Sequence, residues 1–100
     1  DERRAVSGEG FVFVGVVVDK RGGCLDGRPI VESRGWMEPD ERDAWHVEVA
    51  DEVAQALAGV VADGECSEAE LARLTRRATG RLVSRRTGRR PTLVPVVEVR

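Results

Sequence analysis

The chain has 100 residues, with 16 Lys and Arg set against 18 Asp and Glu for a formal net charge of −2. That length suits one domain with a modest core, and the composition is ordinary for a globular protein. No run of about 18 apolar residues is present, which excludes a membrane-spanning helix. No apolar segment follows Asp1-Glu2-Arg3-Arg4, so the expectation is no secretory signal and a cytoplasmic location. A start at Asp rather than Met reads as a piece of a longer protein, with residues 1–9 as a flexible linker to the single domain over 1–100. Cys24 and Cys66 lie far apart in expected loops, without a CxxC pair or a Cys/His cluster, and are read as free thiols rather than zinc ligands.

Residues Phe11 to Asp19 predict the first strand. One parity carries Phe11, Phe13, Gly15 and Val17; the other carries Val12, Val14, Val16 and Val18. Both faces are apolar, as in a strand covered on both sides. Arg21-Gly22-Gly23 makes a turn and Asp26-Gly27-Arg28-Pro29 a second break, with Cys24 and Leu25 as a short bridge strand between them. Pro29 to Ser33 is the next extended piece.

Pro39-Asp40-Glu41 opens a helix, with Asp40 read as its N-cap and Asp43 placed to complement the dipole. Trp45, Val49, Val53, Leu57 and Val60 form its apolar stripe, and Gly64 ends it. Ser67-Glu68-Ala69-Glu70 is a capping box for a second helix. Its stripe is Leu71, Leu74, Ala78 and Leu82. Gly80 weakens that helix by about 1 kcal/mol relative to Ala, and Gly88 stops it. Arg89 to Arg100 is a closing valine-rich stretch, read as the final strand, whose prolines, Pro91 and Pro95, point to an edge strand or to strand ends and bulges.

The order β-β-α-α-β predicts an α+β two-layer sandwich, a small sheet of about three strands packed on one face by two helices. Two helices cover one sheet face only. The second apolar face is expected to dock against another domain or a second copy of the chain.

Charge is unevenly placed. Between Glu38 and Glu70 the only arginine or lysine is Arg42, whereas residues 71–90 hold eight arginines and no acid. The arginine-rich second helix is read as a solvated face complementing the acidic first helix. The alternative is a small RNA-binding module in which Arg73, Arg76, Arg77, Arg81, Arg85 and Arg86 neutralise phosphates, joined by Arg89 and Arg90. No aromatic residue interleaves with those arginines to stack a base.

Three pieces stand in a fixed order: Gly10-Phe11-Val12-Phe13-Val14, then Pro29-Ile30-Val31-Glu32-Ser33-Arg34-Gly35-Trp36, then Thr87-Gly88-Arg89-Arg90-Pro91 running on to Glu98-Val99. From about Gly10 to Val99 the chain resembles the C-terminal domain of bacterial ribonuclease J. Trp36 stands where that family often has Phe, and Thr92 where it often has Met. The resemblance implies a parent enzyme of the metallo-β-lactamase type with a β-CASP insertion, which degrades RNA 5′ to 3′ and also cuts internally. Its two metal ions, usually zinc, are held by an H-x-H-x-D-H motif that is absent here. The resemblance further implies that this domain is non-catalytic and supports dimer or tetramer assembly and full activity. Expected partners are therefore the rest of the parent ribonuclease and other subunits.

Residues expected at that assembly surface are Phe11, Phe13, Arg34, Trp36, Arg89, Arg90, Val94 and Val96. A bidentate carboxylate across an interface suits Arg89 and Arg90 as well as a phosphate does. No catalytic residue, metal ligand or cofactor is expected in this chain. Ser33-Arg34-Gly35 is read as a tight backbone path with Arg34 in an ion pair, because no base for a serine nucleophile can be placed. His46, the only histidine, is read as facing solvent or pairing with a carboxylate. Trp36 and Trp45 are read as core or interface anchors.

Overall fold

The structure is a computed structural model and describes residues 10–35, 39–64 and 67–100. The expected linker over residues 1–9, Trp36 and Cys66 lie outside the described residues. Four strands and two helices follow in the order β1 (Phe11–Asp19), β2 (Cys24–Leu25), β3 (Ile30–Arg34), α1 (Pro39–Asp63), α2 (Glu68–Thr87) and β4 (Thr92–Val99). The α+β two-layer expectation holds, with β2 as a fourth strand of two residues.

β1 is the centre of the sheet. Along one edge it pairs antiparallel with β3 from Phe11↔Arg34 to Gly15↔Ile30, and with β2 at Val18↔Leu25 and Asp19↔Cys24. Between the two registers, Val16 and Val17 oppose the four residues 26–29, so β2 and β3 are one strand interrupted by a bulge. Gly27 in that bulge has φ +80°, and the Asp26 N–H still reaches the Val17 carbonyl at 2.7 Å. The turn back from β1 is held by the Asp19 carboxylate, which accepts from the amides of Arg21 and Gly22, each at 3.1 Å.

Along the other edge β4 runs parallel to β1 over eight residues, Phe11↔Thr92 to Val18↔Val99. The Thr92 N–H donates to the Gly10 carbonyl and the Arg100 N–H to the Val18 carbonyl, each at 2.9 Å. Even-numbered residues of β4 therefore bond to β1, and odd-numbered ones turn their amides to the open edge. Pro95 sits at an outward position, where its missing N–H interrupts no ladder bond. The outward Val99 amide reaches the Glu68 carboxylate at 3.4 Å. Both features blunt the edge against further strand addition.

Side-chain parity divides the sheet. Val12, Val14, Val16 and Val18 are buried against the helices, as are Val31 and Ser33 of β3. α1 contributes Trp45, Val49, Ala50, Val53, Leu57 and Val61 to the same core, and α2 contributes Leu71, Ala78, Leu82 and Val83. Two details differ from the sequence reading. Val61, not Val60, completes the α1 stripe, while Val60 and Leu74 pack at the core margin. α1 begins at Pro39, so Asp40 lies in the first turn and is not the N-cap; a proline is favourable at that first helical position because its absent N–H has no partner there anyway.

α2 is capped as expected. The Ser67 hydroxyl accepts from the Glu70 amide at 3.1 Å, and Gly88 takes the left-handed conformation at φ 70°. Thr75, buried on the α2 core face, donates to the Leu71 carbonyl at 2.8 Å. Gly80 has a packing reason: a Cβ there would lie 3.2 Å from Leu93 Cδ1, so its absence lets α2 lie close to β4.

Gly35 closes the Ser-Arg-Gly element. Its φ is +85°, and a Cβ on it would meet the Gly10 Cα at 3.2 Å. Two glycines thus pack backbone to backbone where β3 leaves the sheet, which requires Gly twice over. Gly35→Ala is expected to lower unfolding free energy by about 2 kcal/mol or more. Gly27→Ala, with positive φ but nothing within 4 Å of the added Cβ, should lose less. Urea unfolding of both variants checks this, and equal losses would contradict the role of the Gly10 approach.

Candidate functional site

The sheet face turned away from the helices is the largest feature of interest. Register places its side chains in rows across the strands: Arg34, Phe11 and Thr92; then Glu32, Phe13 and Val94; then Ile30, Gly15 and Val96; then Val17 and Glu98. The centre is apolar and the charged residues stand at its margins. Ile30 is 60% exposed, Val96 48% and Val94 38%. Phe11, Phe13 and Val17 are half-buried. Phe13 folds its ring toward Gly15, where an added Cβ would stand 3.2 Å from the Phe13 Cε1. The hollow left by the glycine is thereby filled from within, and the face is flattened.

Of the residues expected on this surface, Phe11, Phe13, Arg34, Val94 and Val96 are brought together there. Arg34 holds no ion pair among the described residues, contrary to the sequence reading. Its Phe11 neighbour and exposed position on the sheet account for this: no acid stands across the ladder from it. Arg89 and Arg90 lie elsewhere. They line a cavity of about 290 Å³ between α2 and the entrance of β4, with Gly80, Val83, Ser84, Pro91 and Leu93. Pro91 and Leu93 lead into the helix-facing side of β4, which takes these arginines to the side of the molecule away from the free face.

α2 carries its arginines outward, and the expected pairing with acidic α1 is sparse. Among the described residues one ion pair, Arg86 with Glu48, joins the two helices, with Arg86 Nε donating to Glu48 Oε2 at 2.8 Å. Arg73 pairs with Glu70 of its own helix. Asp51 of α1 is taken by Arg28. Arg76, Arg77, Arg81 and Arg85 hold no ion pair among the described residues. The reason is geometric: α1 and α2 meet through their apolar stripes, which turns most of the charged residues to solvent rather than to each other.

One contact was not legible in the sequence. Ser33 Oγ and His46 Nε2 are 2.7 Å apart, joining β3 to α1 across the edge of the core. His46 is therefore half-buried and bonded to a hydroxyl, rather than facing solvent or holding a carboxylate. Ser33 is 3% exposed, which denies a substrate access to its oxygen. The pair acts as a pin. Burial holds the His46 pKa below its ordinary value of 6.5, opposed by Glu32 and Asp43 and aided by Arg42.

A histidine whose folded pKa lies below the unfolded one binds fewer protons in the native state. Stability is then fully present above the unfolded value of 6.5 and declines as pH falls through it toward the folded value. The urea midpoint is expected to drop as pH falls below about 7, and His46→Gln should flatten that slope. A slope unchanged in the variant would assign the pH dependence to other groups.

A protein-family model described as the ribonuclease J C-terminal domain matches residues 1–99. No curated protein matches the chain.

Proposed function

Because the chain belongs to the ribonuclease J C-terminal domain family, we propose that it is a non-catalytic assembly domain of an RNA-degrading and RNA-processing enzyme. Its role is positional. The free sheet face meets the same face of a second copy, and the joined subunits hold the catalytic parts of the parent in an active arrangement for metal-dependent 5′ to 3′ and internal cleavage in the cytoplasm. The observation carrying this reading is the apolar row structure of that face, with Phe11, Phe13, Ile30, Val94 and Val96 in register across three strands. A face this apolar is costly to leave in water. The blunted β4 edge also favours assembly through the face over strand addition there. Zinc belongs, on this reading, to the parent's catalytic part. The donors here do not fit such a site, since the lone imidazole is engaged by Ser33.

A second reading, RNA contact through α2, is favoured by a separate observation. Arg76, Arg77, Arg81 and Arg85 remain without carboxylate partners among the described residues, and unpaired guanidiniums at helical spacing suit a phosphate backbone. The two readings use opposite sides of the molecule and do not compete for residues.

Val96→Asp places a charge among the apolar residues of the free face, on its outer strand β4, at a position whose side chain does not pack against the core. Sedimentation velocity is expected to show a dimer for the parent chain and a monomer for the variant, with unfolding free energy changed by about 1 kcal/mol or less. A monomeric parent chain at all concentrations would overturn self-assembly through this face.

A further inference from the structure

We infer that the cavity between α2 and the entrance of β4 accepts one nucleotide of a single-stranded RNA whose phosphates run along the arginines of α2. The inference rests on the reading of α2 as an RNA-contacting helix, and goes further by assigning a base slot.

The cavity measures about 290 Å³ and combines two kinds of wall. Val83, Pro91 and Leu93 give it an apolar lining, with Gly80 beside them, where the missing Cβ makes room for the Leu93 side chain. Ser84, Arg89 and Arg90 supply polar groups at the same site. This is the combination a nucleotide needs. The base takes the apolar wall, guanidinium planes stack on a base or grip a phosphate, and a hydroxyl both donates and accepts at a base edge. The volume falls near the lower end for small-ligand sites, which suits a single base rather than a larger ligand.

The position of the cavity connects it to the arginine stripe. Arg77, Arg81 and Ser84 follow at helical spacings of four and three, so they share one outward face of α2. Arg77 and Arg81 are separated by a rise of about 6 Å along the axis, comparable with the step between phosphates in an extended strand. Arg77 and Arg81 also border a shallow groove between the two helices. A strand following those guanidiniums toward the C-terminal end of α2 arrives at Ser84 and the cavity. A paired base cannot enter such a slot without leaving its helix, so single strands are selected. An acidic peptide would satisfy the arginines equally but has no use for the apolar wall, which is why RNA is the occupant inferred.

The test uses the 100-residue chain and fluorescence anisotropy at about 50 mM salt, where phosphate contacts are strong. Three probes of equal length are compared: labelled octauridylate, an abasic ribose-phosphate strand, and duplex RNA. Octauridylate is expected to bind about fivefold or more tightly than the other two, as the burial of one base against an apolar wall and a guanidinium plane would give. Ser84→Leu, a helix-compatible change that fills the cavity from its rim, should abolish that preference and leave the salt slope intact. Arg77→Gln combined with Arg81→Gln should instead weaken all three probes and reduce the slope by about 0.7 for each phosphate deprived of its guanidinium. Circular dichroism confirms that each variant is folded. Equal affinity for octauridylate and the abasic strand, or a preference that survives Ser84→Leu, overturns the base slot while leaving α2 as a phosphate-contacting helix. Absence of binding to every RNA probe, or tighter binding to a poly-glutamate peptide, overturns both.

Discussion

Eight residues of β4 lie parallel to eight of β1, and most of the architecture follows from that one ladder. Parallel neighbours cannot be joined by a tight turn; the chain must leave the sheet and return. Here the return path begins at the end of β3 and consists of α1 and α2, which both lie on the same side. Their apolar stripes meet Val12, Val14, Val16 and Val18 of β1, so one sheet face is sealed. The other face has nothing left in the described chain to cover it. An apolar row on that face is thus a consequence of the topology, not an isolated surface feature.

The same ladder sets how the edges behave. β1 has no free edge: β4 takes one side, and β3 with β2 shares the other. β4 becomes the outer strand, and its sequence fits that place. Pro95 falls at an outward position, and Glu68 at the start of α2 reaches back to the Val99 amide. Glu68 therefore serves the first turn of its helix and the sheet edge together. With strand addition discouraged at β4, the apolar face and the outer edge of β3 are the routes to association that the sheet leaves open. The arginines of α2 occupy the far side, which permits protein contact and RNA contact at once.

Much of this was readable in the sequence because it rests on local periodicity. The double alternation in β1 announced a strand with two apolar faces, and Ser67, Gly64 and Gly88 marked the helix boundaries through their own backbone chemistry. From the sequence Gly80 shows only as a helix weakness, since its purpose depends on Leu93, thirteen residues later in another element. The Ser33–His46 bond was hidden for the same reason. Nothing local to Ser33 signals that α1 will bring an imidazole to it. Charge complementarity between the helices was overestimated, because net charge along a segment does not say which way each side chain turns. Their place at a strand entrance beside Pro91 leads to the expectation of Arg89 and Arg90 at the rim of the free face. The entry path of the strand, through buried Pro91, puts them on the helix side instead.

If the domain assembles through its free face, the surface carrying Phe13 and Val96 becomes covered while the α2 side stays open. Thiol labelling addresses it directly. With Cys24 and Cys66 replaced by serine, a single cysteine is introduced either by Val96→Cys or by Ser84→Cys, and its modification rate is followed as protein concentration rises. The Val96→Cys thiol is expected to become protected with concentration while the Ser84→Cys thiol keeps a constant rate. Equal, concentration-independent rates at both positions would contradict assembly through that face.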